Sequence, residues 1–122
     1  MLVYGRVIIL HSTAKTYTPL CEWGSYKLND VITLSESIDN FDYIVIRGGW
    51  DSVNGGIFAV IMPTFLIPNN NMNINVVTVY GTGTIRGKVV NVTSRTSMTI
   101  VASNNDPDNI AVRQIWGVKL GS

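Results

Sequence analysis

The 122-residue chain is short of several things, and each shortage excludes a class of protein. It has one cysteine, Cys21, so no intrachain disulfide can form. It has one histidine, His11, so a zinc site of the usual His and Cys kinds cannot be assembled within one chain. Only 14% of its residues are charged, against about 25% in an ordinary globular domain. The nine basic residues are scattered and the net charge is +1. Binding to phosphate backbones needs a concentrated basic footprint, so nucleic acid is excluded as a partner. The longest apolar run near the N-terminus is Val7 to Leu10. It is too short for a signal-peptide core or a membrane span, and membrane insertion is not expected.

What is present is β-branched. Val, Ile and Thr number 15, 14 and 11. Short runs of these residues alternate with clusters of Gly, Asn, Asp, Ser and Pro, which is the punctuation of an all-β protein. Strands are expected near 2–10, 17–23, 30–34, 41–47, 57–63, 74–80, 84–92, 97–102 and 110–119. Nine short strands in one domain predict an antiparallel β-sandwich, with a jelly-roll variant left open. Residues 1–16 read as an N-terminal strand or connector, and 17–120 as the sandwich. Met1 suits a short gene product or an expressed fragment, and Gly121-Ser122 fits a cloning remnant.

Some of these strands alternate. In 97–102, Met98, Ile100 and Ala102 fall on one face, and Ser97, Thr99 and Val101 on the other. Others are apolar on both faces. Phe41, Tyr43 and Val45 line one side of their strand, while Ile44 and Ile46 line the other. The run Ile57 to Met62 has no polar side, and no charged residue occurs between Asp51 and Arg86. So apolar a strand needs cover on both faces, and a neighbouring copy of the chain is the economical source. Phe58, Val60, Met62 and Phe65 are assigned to that interface.

No catalytic constellation emerges. A Ser-His-Asp triad would have to use His11, at the end of an apolar strand, and no G-x-S-x-G elbow presents a serine. Cys21 would need a base beside it, and His11 is the sole obvious candidate. Gly81-Thr82-Gly83 marks a hairpin. The Asn- and Asp-rich segment 104–109 lacks the glycine and glutamate of an EF-hand loop. The Asn91-Val92-Thr93 triplet matches a glycosylation sequon but lies within an expected strand. No cofactor, metal or catalytic residue is assigned.

Three connections have the composition of a carbohydrate site. Trp50, in a Gly-flanked loop, could offer an aromatic platform, with Asp51 and Asn54 beside it. Asn69, Asn70, Asn71, Asn105 and Asp106 offer the donors and acceptors that sugar hydroxyls need. Plain turn chemistry is the competing reading of all three.

Three stretches carry a resemblance. They are Leu20-Cys21-Glu22-Trp23-Gly24, the run Val31-Ile32-Thr33-Leu34-Ser35-Glu36-Ser37-Ile38, and Asn40-Phe41-Asp42-Tyr43-Ile44-Val45-Ile46. With the closing Ile115-Trp116-Gly117-Val118-Lys119 and the Ile67-Pro68 step, the chain resembles C-terminal domains of bacteriophage and prophage tail-fibre proteins over about residues 20–119. The resemblance implies a homotrimeric tip in the virion, made in the host cytoplasm and acting at the bacterial surface. It also implies reversible binding of a surface polysaccharide or outer-membrane component, without catalysis. A structural virion component that touches no receptor, and a polysaccharide-trimming enzyme, stand as alternatives.

Overall fold

The computed structural model describes residues 15–50, 57–80, 84–104 and 110–121. Eight strands cross this part of the chain: β1 (Lys15–Pro19), β2 (Val31–Thr33), β3 (Tyr43–Trp50), β4 (Ile57–Pro63), β5 (Met72–Tyr80), β6 (Thr84–Ser94), β7 (Ser97–Asn104) and β8 (Ile110–Leu120). One sheet has the order β1-β8-β3-β4 and the other β2-β7-β6-β5. Every pairing is antiparallel. The protein is an antiparallel β-sandwich. The chain stays within one sheet for β3–β4 and for β5–β6–β7, and changes sheet at the other steps. The expected strand at 2–10, and His11, lie outside the described residues.

The core is built by alternation. Ile44, Ile46, Val112 and Ile115 project from the first sheet, and Ile74, Val76, Val90, Val92, Met98 and Ile100 from the second. All of these are 3% exposed or less. The 3-10 turn Ile38–Asn40 closes one end, with Ile38 buried and the Ser37 hydroxyl accepting from the Asp39 N–H.

Four details depart from the expected pattern. First, β1 ends at Pro19, before Cys21, Glu22 and Trp23. The chain then follows β8 irregularly, with Leu20, Gly24 and Tyr26 N–H groups donating to the Ile115, Arg113 and Val112 carbonyls. Second, Phe41 is not on the face of Tyr43 and Val45. It precedes β3, turns inward and is buried against Gly117. Third, Ala102 does not share the buried face of Met98 and Ile100. Val89 pairs with Ala102 but Val90 with Ile100, so Val101 is an inserted residue and the alternation resets. Fourth, β4 separates its two faces: Phe58 is buried, Val60 and Met62 pack against the core, and Ala59 and Ile61 face outward. Phe58, Val60 and Met62 thus serve this chain's own core, and the outward positions of the strand are Ala59 and Ile61.

A second bulge lies in β8, where Arg47 pairs with Gln114 and Gly48 with Val112. The intervening Arg113 is 3% exposed. Its guanidinium donates to the Gly49 carbonyl at 3.2 Å and the Gly24 carbonyl at 3.3 Å. It ties the irregular segment after β1 to the end of β3.

Candidate functional surfaces

The loop residues read as a receptor site do not form one cluster. Trp50 is not in a loop: its backbone is the last position of β3 and pairs with Ile110. The two glycines before it belong to the strand, pairing with Phe58 and Ile57. Asp51, Asn54, Asn105 and Asp106 lie outside the described residues. Asn69, Asn70 and Asn71 are exposed between the 3-10 turn Thr64–Leu66 and β5. The seven-residue β4 runs from the Trp50 end of the sandwich to the asparagine end. At about 3.4 Å per residue, that is too far for Trp50 and Asn69 to Asn71 to hold one small ligand.

The asparagine loop is largely turn chemistry. Asn71 has φ of 66°, a left-handed conformation that asparagine tolerates, and its N–H donates to the Val92 carbonyl. The Arg95 guanidinium spans this end. It donates to both Asp39 carboxylate oxygens, to the Ile67 carbonyl at 2.6 Å and to the Asn70 side-chain oxygen at 3.5 Å. Arg95 thereby joins the β6–β7 turn to both 3-10 turns.

Its hydrogen bonds also hold the Asp39 carboxyl below its ordinary value of 3.8. A depressed folded-state pKa stabilises the fold above the ordinary carboxylate range, and that contribution fades as pH falls through the folded value. Asp39→Asn is therefore expected to lower Tm by no more than a few degrees at pH 7. The gap to the parent should close on acidification below the ordinary range and narrow at 1 M salt, because Asp39 is exposed. Thermal melts across pH check both trends.

Three of the other described carboxylates also have structural partners. Asp30 accepts from the Lys27 N–H, Asp42 from the Leu120 N–H, and Glu36 from the Asn40 amide. Cys21 is partly buried, and burial raises its pKa despite partial offset from Ile115 and Tyr26. A raised pKa keeps the thiol protonated and weakens it as a nucleophile. Among the described residues, no group of three His, Cys, Asp or Glu side chains could hold a metal ion, and no helix is long and apolar enough to cross a membrane.

The two outer faces of the sandwich are the distinctive surfaces, and they differ in chemistry. On the β1-β8-β3-β4 sheet, register aligns Pro19, Trp116, Val45 and Ile61 in one row across all four strands. Tyr17, Tyr43 and Pro63 share the next row with Val118, which is itself buried. Ile61 is 66% exposed and Tyr17 59%. Beside them Trp23, also exposed, stacks on Arg47, with the guanidinium carbon 4.8 Å from the ring centroid. Phe65, at the β4 end of this sheet, is 78% exposed.

The outer face of the β2-β7-β6-β5 sheet mixes exposed valines, Val31 and Val101, with two rows of amides and hydroxyls that carry no charge among the described residues. Asn73, Asn91, Thr99 and Val31 form one row. Thr33 and Ser97 pair in the next, where Ser97 also pairs with Ser94, and Thr93 lies at the register shift between Val92 and Ser94 of β6. The Asn91 amide donates to Asn73 Oδ1 at 2.9 Å. Thr93 Oγ1 lies 3.2 Å from Asn91 Oδ1 and 2.8 Å from Thr99 Oγ1. The sequon asparagine is thus part of a side-chain ladder on an interior strand. This ladder escaped the sequence reading, although polar residues alternate with core residues in Asn73-Ile74-Asn75, Asn91-Val92-Thr93 and Ser97-Met98-Thr99.

No protein-family model matches this chain, and a search of curated proteins finds no match either.

Proposed function

We propose that this chain is a non-catalytic tip domain of a phage tail fibre, carried on the virion as a homotrimer, that recognises a glycan on the bacterial surface. The observation that carries the reading is the contrast between the two outer faces. An apolar face, rich in Tyr, Trp, Val and Ile, suits burial against other copies of the chain. A face of amides and hydroxyls suits a hydrated ligand that is bound and released. The structural partners of Asp30, Asp39, Asp42, Glu36 and Arg95 support a recognition role rather than bond cleavage. The resemblance to tail-fibre domains across residues 20–119 supplies the biological setting.

Sedimentation and labelling of cells test the two halves of the reading. The purified chain is expected to sediment as a trimer at micromolar concentration, and the fluorescent trimer to stain susceptible bacteria. A stable monomer would overturn the assembly. A trimer that stains no strain would leave an attachment role within the virion. Release of reducing ends from host polysaccharide would replace binding by catalysis.

A further inference from the structure

We propose that the receptor site is the flat outer face of the β2-β7-β6-β5 sheet rather than the loops, and that its ligand is an uncharged polysaccharide. This rests on the reading of the chain as a glycan-binding tip.

Asn91 donates to Asn73 Oδ1 at 2.9 Å. Thr93 Oγ1 lies 3.2 Å from Asn91 Oδ1 and 2.8 Å from Thr99 Oγ1, and either hydroxyl can be the donor in the second contact. The two N–H groups of Asn73 remain donors at one end of the ladder, and the hydroxyls of Thr93 and Thr99 keep acceptor capacity at the other. A polyol has hydroxyls that both donate and accept, so it can engage both ends at once.

Asn73 on β5, Asn91 on β6 and Thr99 on β7 stand at paired positions of adjacent strands, and Thr93 at the register shift of β6 bridges Asn91 and Thr99. Side chains already held by one another lose little further freedom on binding. Exposed Val31, beside Thr99 in the same row, and exposed Val101, the inserted residue of β7, offer apolar contact for the C–H face of a sugar ring. Exposed Asn75 extends the amides along β5. None of these positions carries a charge. Among the described residues of these rows, an acidic glycan would find no cation to offset its desolvation, whereas a neutral one needs none.

An array of purified bacterial surface polysaccharides, neutral and acidic, tests the proposal with the intact trimer. Binding to neutral members is expected. The double variant Asn73→Ala/Asn91→Ala should weaken it by about 10- to 100-fold, as loss of one or two ligand hydrogen bonds would. Asn75→Ala, at an exposed position, should weaken it less and leave Tm unchanged. Asn69→Ala, in the loop at the end of the sandwich, should bind like the parent. Binding that survives the double variant but falls with Asn69→Ala would move the site to the loops while leaving the glycan-binding reading intact. Binding confined to acidic members would overturn the assignment of an uncharged ligand. Stained cells with no array member bound would overturn the polysaccharide, and unstained cells the reading beneath it.

Discussion

Gly117→Ala is expected to lower the unfolding midpoint by about 5–10 °C. A Cβ built at Gly117 would lie 2.6–2.7 Å from three atoms of the Phe41 ring, well inside the roughly 3.5–4.0 Å of favourable carbon contacts. The ring cannot easily retreat. Phe41 is 6% exposed. Its N–H donates to the Ile38 carbonyl, and its own carbonyl accepts from Thr64 Oγ1 at 2.7 Å. Displacing it would disturb both 3-10 turns at that end. Gly117 itself is fixed between Thr18 of β1 and Ile44 of β3. Overpacking of this kind costs about 1–3 kcal/mol, and 1 kcal/mol moves Tm by several degrees in a domain of this size. Gly48→Ala should behave similarly, since its Cβ would meet the Phe58 ring at 2.6 Å and the Ala111 carbonyl at 2.8 Å. Gly24→Ala is the internal comparison. The atoms nearest its Cβ would be the outer end of the Tyr26 ring, at 2.8 Å, and that ring is only partly buried. Phe41→Leu placed in the Gly117→Ala background should recover part of the loss. Melting curves that leave Gly117→Ala at the parent value would contradict the packing described.

The glycine and the aromatic that constrain each other are far apart in sequence, which is why the constraint is invisible there. What could be read was local. The run 57–63 coincides with β4, and the buried alternation of Met98 and Ile100 follows from period-two spacing. The strands near 84–92 and 110–119 are each present, slightly longer than expected. The failures begin where a second strand intervenes. A bulge at Val101 turns Ala102 outward, and nothing in residues 97–102 announces it, because the insertion is defined against β6. Gly48 and Gly49 look like loop residues, yet they are the part of β3 where Phe58 crosses closely, so Trp50 is carried to a strand end. The polar ladder failed to register for a related reason. Alternating asparagines and threonines look like solvent-facing filler until pairing lays Asn73, Asn91 and Thr99 side by side. Composition points to asparagine amides as sugar-binding groups, but the candidates it offers lie in turns, where such residues are commonest.

Ile61→Lys is expected to convert the proposed trimer into monomers at micromolar concentration, with little change in the stability of the monomer itself. In a single chain the side chain is 66% exposed, so lysine there reaches water and costs little. It sits on β4, an edge of its sheet, in a stretch with no charge between Asp51 and Arg86. Edge strands usually carry charge or proline to discourage association, and β4 has only its terminal Pro63. Ile61 also continues the row of Val45, Trp116 and Pro19. A contact through this face would bury the new ammonium against apolar neighbours with no counter-charge in the row. Burying an unpaired charge costs several kcal/mol. Cyclic symmetry repeats that cost at each of the three interfaces, and every 1.4 kcal/mol is a tenfold change in an association constant. Ile61→Thr, which keeps the β-branched shape without charge, should retain the trimer at higher concentration. Analytical ultracentrifugation of both variants separates the possibilities. An Ile61→Lys protein that still sediments as a trimer would place the interface elsewhere, with the exposed Phe65 the next position to substitute. If it dissociates, the released monomer should keep the ladder on its opposite face and bind glycan one site at a time. It would then lose the avidity of three linked sites but not the contact itself.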